Sequence, residues 1–102
     1  MVIAEVSIIP IGTKTPSVSK YITRAIEVLR QEKGINYELT AMGTLIEGEL
    51  EKVLEVIGNM HRSLFDREVK RVITTIKIDD RRDKKLTMDY KVESMMKRIK
   101  DK

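Results

Sequence analysis

The segment from Tyr37 to Glu49, YELTAMGTLIEGE, constrains the fold more than any other stretch of the chain. Two short runs of strand-forming residues flank a break at Met42-Gly43. Strands joined this tightly have no room for a crossover and must pair antiparallel. Glu47-Gly48-Glu49 then ends the second run and opens a helix, whose acidic first turn suits the positive end of the helix dipole.

The remaining elements build around that hairpin. Val2 to Pro10 is β-branched and apolar on both alternating faces, as expected of a central strand. GTKTPSVS, from Gly12, is a loop leading to a helix start, with Ser17 or Ser19 as the N-cap. Ile22, Ala25, Ile26 and Leu29 recur at helical spacing, and Gly34 closes that helix. After the hairpin, Leu50, Val53, Leu54, Ile57, Met60, His61 and Leu64 form the stripe of a second helix. Val69 to Asp79 reads as a fourth strand, and 81–85 as a charged connector. Leu86 to Lys102 reads as a third helix with a Val92, Met95, Met96 and Ile99 seam. The order β-α-β-β-α-β plus a terminal helix predicts one α+β domain over 1–102: a ferredoxin-like βαββαβ sandwich with an extra C-terminal helix.

Composition removes several functions. There is no cysteine, hence no disulfide framework, zinc–thiolate site, iron–sulfur cluster or thiol nucleophile. One histidine excludes a multi-histidine metal site within a single chain. No apolar run approaches the roughly 20 residues of a membrane span. MVIAEVSIIPIG lacks the basic start and long apolar core of a signal peptide, so a cytoplasmic protein that does not engage membranes is expected. Residues 1–66 carry seven Lys/Arg against nine Asp/Glu, and residues 67–102 carry thirteen against seven. That basic half is either a solvated face or an anion surface. Nucleic-acid binding is disfavoured, because the central strands MVIAEVSIIP and TLIEGE hold no aromatic on which a base could stack.

In such a fold one sheet face lies under the helices and the other is open. With Val2, Ala4, Val6 and Ile8 inward, Ile3, Glu5, Ser7 and Ile9 face out. The same alternation extended to the hairpin adds Thr44 and Ile46 to the open face and puts Glu47 on the other sheet face from Glu5. Exposed isoleucines there predict self-association. Glu5 and Ser7 within it would need partners from a second subunit or a ligand. His61, on the apolar side of its helix, reads as a packed residue rather than a base. No catalytic constellation is evident, so a non-enzymatic role is expected, with no cofactor. Carboxylates, hydroxyls, Met42 and Tyr37 together suit a cationic or amphipathic heterocycle.

IPIGTKTPSVSKYI, YELTAMGTLIEGE, His61 and RVITTIKIDDRRDK, in that order and spacing, resemble the thiamine-binding protein family. These are short ferredoxin-like proteins related to a two-domain bacillar protein that binds thiamine through its hydroxymethylpyrimidine part. The resemblance runs over nearly the whole chain. It implies a binder of thiamine or a related pyrimidine, assembled as a homo-oligomer, a dimer of dimers. On that reading Glu5 or Glu47 supplies a carboxylate, Ser7, Ser17 and Thr44 supply hydrogen bonds, and Tyr37 and Met42 supply apolar surface. The alternative is a regulatory or interaction module whose oligomer holds an anion or another metabolite.

Overall fold

The computed structural model describes residues 1–14, 19–83 and 87–100. Its elements run β1 (Val2–Ile11), α1 (Ser19–Gln31), β2 (Asn36–Thr40), β3 (Gly43–Gly48), α2 (Leu50–Ser63), β4 (Arg71–Asp80) and α3 (Met88–Lys100). The strands form one antiparallel sheet in the order β2-β3-β1-β4, with β1 and β3 central as the sequence predicts. The architecture is the expected α+β, ferredoxin-like arrangement with an added helix.

Alternation along β1 sorts the core. Val2, Ala4, Val6 and Ile8 are buried under α1 and α2, where they meet Tyr21, Ala25 and Leu29 of α1 and Val53, Val56, Ile57 and Met60 of α2. Past the end of α1, Gly34 takes φ +83°, a backbone that β-carbon-bearing residues resist. Glu49 is the N-cap of α2. The α2 stripe is rotated from the one expected. Val56 is buried, Leu54 is 45% exposed and His61 is half-buried, because α2 packs on β1 and β3 rather than over β4. Val69, assigned to the fourth strand from sequence, is fully buried in the turn before β4. There Asp66 Oδ1 accepts the amides of Glu68 and Val69, and Asp66 Oδ2 accepts Arg24 Nη1 of α1 at 2.9 Å.

Register overturns one expectation. Ala4 pairs with Ile46, Val6 with Thr44 and Ile3 with Glu47. Directly paired residues share a face, so Thr44 and Ile46 lie under the helices while Leu45 and Glu47 join Glu5 on the open face. Glu5 and Glu47 are therefore diagonal neighbours on one face, not on opposite faces. Alternation fixes the faces within a strand. It cannot fix the phase between strands, and that phase was read one residue out.

The third helix begins at Met88, later than the sequence suggested. Thr87 is its N-cap, its Oγ1 accepting the Tyr90 amide at 3.1 Å. Ser19 is the first described residue of α1, and Ser17, the other cap candidate, lies outside the described residues. Lys84, Lys85 and Leu86 lie outside them too.

Candidate functional site

β1 is ten residues long and β3 only six. Their ladder ends at Val6–Thr44, while β1 runs on against β4 as far as Ile11–Arg71. Beyond Val6 the β3 side of β1 is thus a strand edge without a ladder partner among the described residues. The β2–β3 hairpin turns away at this point. Thr40 builds the turn by donating from Oγ1 to the Gly43 carbonyl at 2.8 Å and accepting the Met42 amide at 3.2 Å. Gly43 is required by close approach. A Cβ there would stand 2.9 Å from the Val6 carbonyl oxygen and push the hairpin off β1.

The bare edge, the hairpin tip and α1 enclose a cleft of about 390 Å³. Ile22 and Ile26 form one wall, Met60 lies at the base, and Leu39 and Met42 stand at the rim. Among the described residues, none that lines it is charged. Thr44, 8% exposed, borders it, as does Ser7. Neither hydroxyl takes part in a side-chain hydrogen bond among the described residues. An apolar slot with a few hydrogen-bonding groups at one side suits a flat, neutral, partly polar ring.

The sequence-derived site residues fall into separate places. Ser7, Met42 and Thr44 meet at this cleft. Glu5 is on the open face, 3.9 Å from Lys77, in a second groove of about 280 Å³ between the sheet and α3. Its Cγ lies 4.0 Å from where a Gly43 Cβ would sit, so its chain runs behind the hairpin tip. Glu47 is buried and occupied. Its Oε1 accepts Asn36 Nδ2 at 2.8 Å, and its Oε2 accepts the Met88 amide at 2.9 Å, a carboxylate at the first turn of α3. Tyr37 is opposite Ile46 on the helix side of the edge strand and borders neither hollow.

His61 Nδ1 is 2.6 Å from Thr74 Oγ1, and the ring meets Phe65 edge-on, the packed role expected of it. Within the basic segment Arg81 binds Asp83 at 2.7 Å and Arg82 binds Asp80 at 3.0 Å beside a polar hollow of about 670 Å³. No helix among the described residues is long and apolar enough to cross a membrane. Sequence reasoning missed Leu39, Ile22, Ile26 and Met60 as cleft walls. The available signal was the length mismatch between β1 and β3.

Comparison with known proteins places the chain. Residues 4–96 match the model of a family described as thiamine-binding protein. The UPF0045 protein YqgV of Bacillus subtilis is 50% identical over 102 residues, which span 97% of this chain and 98% of that protein. The crystal structure of the hypothetical protein MJ1052 of Methanocaldococcus jannaschii superposes with a TM-score of 0.84 at 41% identity, covering 92% of this chain and 94% of that one. A candidate thiamine biosynthesis/salvage protein of Thermotoga maritima gives 0.74 at 26% identity, over 92% and 97%. The chain belongs to the thiamine-binding protein family.

Proposed function

We propose that the protein binds thiamine or a related pyrimidine as a homo-oligomer, without catalysing its conversion. The observation that carries this is the uncharged cleft bordered by a free strand edge and the Thr44 hydroxyl. An aminopyrimidine sets an amine donor beside a ring-nitrogen acceptor, the same alternation that a strand edge offers in reverse. The ring enters the apolar slot against Met42, with Ser7 and Thr44 as side-chain partners, and the charged thiazolium stays at the mouth. Of the two carboxylates, Glu5 is the one we assign to the cation, since both oxygens of Glu47 are already bonded. Phosphate is a poor fit to a cleft with no cation among the described residues of its walls.

Self-association rests on apolar surface left in water. On the open face Ile9 and Ile73 are 50% and 44% exposed, and the α3 seam is exposed along its length. A dimer of dimers uses two distinct contacts, and the open face is one of them.

Thermal-shift titration with hydroxymethylpyrimidine, thiamine, thiamine pyrophosphate and inorganic phosphate tests the reading. Ligand at about 100 times Kd stabilises the native state by about 2.7 kcal/mol, a readily measured rise in Tm. Thr44→Val should weaken the pyrimidine by about tenfold, the equivalent of about 1.4 kcal/mol, with the unliganded Tm unchanged. A shift with phosphate alone, or none with any compound, refutes the proposal.

A further inference from the structure

Three strand pairings draw one row straight across the open face: Glu38 with Leu45, Leu45 with Glu5, and Glu5 with Lys77. Neighbouring strands lie about 4.8 Å apart, so the Glu38 and Glu5 backbones are about 10 Å from each other with Leu45 between them. The adjacent row on that face is Glu47, Ile3 and Asp79. α3 crosses above, its first turn pinned by the Met88 amide on Glu47 and by Lys91 on Asp79. The helix does not settle onto the sheet. The groove of about 280 Å³ runs between them, with Ile3 and Leu45 in its floor and Val92 and Met95 in its roof, both of these still 60% exposed. Ile9 and Ile73, the exposed pair assigned to self-association, lie further along β1 and do not line it.

The charges around this groove are unequally engaged. Lys91 holds Asp79 at one end. Lys77 reaches Glu5 only at 3.9 Å, beyond hydrogen-bond length, and its side chain is 82% exposed, so the pair is easily exchanged. Glu38 makes no side-chain hydrogen bond or ion pair among the described residues. A carboxylate thus stands open to a donor on either side of an apolar strip. Side chains rising from backbones about 10 Å apart are poorly placed to share one metal ion. No group of three or more His, Asp or Glu side chains among the described residues could hold one. Two ammonium groups joined by a hydrocarbon chain answer both features. An extended chain advances about 1.2 Å per bond, which sets the nitrogens of a four- or five-carbon diamine about 6–7 Å apart. A charge-assisted hydrogen bond of about 2.8 Å at each end then spans the two carboxylates. The methylenes lie along Leu45 beneath the Met95 thioether, as a lysine stem lies along apolar surface.

We propose that the groove between the open sheet face and α3 is a second binding site, for a linear aliphatic diammonium of four or five carbons. One ammonium sits on Glu38 and the other on Glu5, where it displaces Lys77. Glu5 also runs behind the hairpin tip that rims the cleft, whereas Glu38 borders the groove alone, so Glu38 carries the test.

Calorimetry at low salt with 1,4-diaminobutane, 1,5-diaminopentane, 1-aminobutane and magnesium reads the site directly. Both diamines should bind one per chain, at least about tenfold more tightly than the monoamine or the metal. Glu38→Gln should cost the diamines about tenfold and leave hydroxymethylpyrimidine binding as it was. Met95→Lys, which sets a cation in the exposed roof, should do the same. Equal affinity for diamine, monoamine and magnesium, or diamine binding indifferent to Glu38→Gln, overturns the groove site. Pyrimidine binding without diamine binding overturns it too and leaves the proposed function standing. Diamine binding alone supports the groove and removes the pyrimidine.

Discussion

Replacing Glu47 by glutamine separates a structural carboxylate from a ligand-binding one. The side chain holds Asn36 through one oxygen and the Met88 amide through the other. Glutamine keeps the shape but turns one oxygen into a donor, which would face either the Asn36 amide or the Met88 N–H. The exposed Asn36 amide can turn over to accept from that donor, so what is lost is the negative charge at the start of α3 and the charge assistance of both bonds. A hydrogen bond to a charged group contributes about 1.5–3 kcal/mol, and both bonds persist in neutral form, so the low end applies. Other ties of α3 to the sheet are the Lys91–Asp79 ion pair and a loose apolar contact over Ile3 and Leu45. The cost should therefore fall on α3 alone. Hydrogen exchange should show α3 amides opening about tenfold faster, the equivalent of about 1.4 kcal/mol. The core amides of β1 should not change. Thiamine affinity should stay within about twofold on the same scale. Unchanged α3 exchange would show that the Glu47 charge holds nothing in place. Lost affinity with unchanged exchange would move the ligand carboxylate from Glu5 to Glu47.

Three further outcomes follow from the geometry. Glu5→Gln should weaken thiamine but not neutral hydroxymethylpyrimidine, and equal loss for both in calorimetry would remove the cation from its role. Gly43→Ala should destabilise the fold by about 1–3 kcal/mol in denaturant titration, because its Cβ meets the Val6 carbonyl and must shift the backbone. The Asp66 carboxyl is held down to about 2 by the Val69 amide first and by Arg24 next. A depressed native pKa contributes stability that is complete above the ordinary carboxylate value near 4 and is lost as pH falls toward 2. Asp66→Asn should therefore be less stable than wild type above pH 4, with the gap closing toward pH 2 in acid-unfolding curves.

The order of elements and the inner face of β1 were legible because both are local. Alternation in VIAEVSIIPI and helical spacing in the two covering helices belong to single segments. What failed was the relation between segments. The phase of β3 against β1 was misread by one residue although a signal was present. Glu47 sits between Ile46 and Gly48, and a charge favours the open face unless it is paired. Placing Glu47 outward would have placed Thr44 and Ile46 inward. The exposed Leu54 has a similar cause. Nothing in α2 says that its neighbours are β1 and β3 while β4 extends past its cover.

That same phase decides what the site can bind. With Thr44 outward, the hairpin would offer its hydroxyl and Glu5 together on an open face, a surface for a hydrated cation. With Thr44 inward, the hydroxyl joins Ile22, Ile26 and Met60 in a slot with no charge among its described lining residues, Glu47 stays bonded on the far side of the sheet, and Glu5 approaches only from behind the hairpin tip. A permanent cation would gain little from such a slot, whereas a neutral ring would bury its faces there and satisfy its edge on β1. On the proposed function, selectivity would then rest with the pyrimidine half of thiamine. The neutral hydroxymethylpyrimidine should retain most of the affinity of thiamine, and a free thiazolium alcohol should retain almost none.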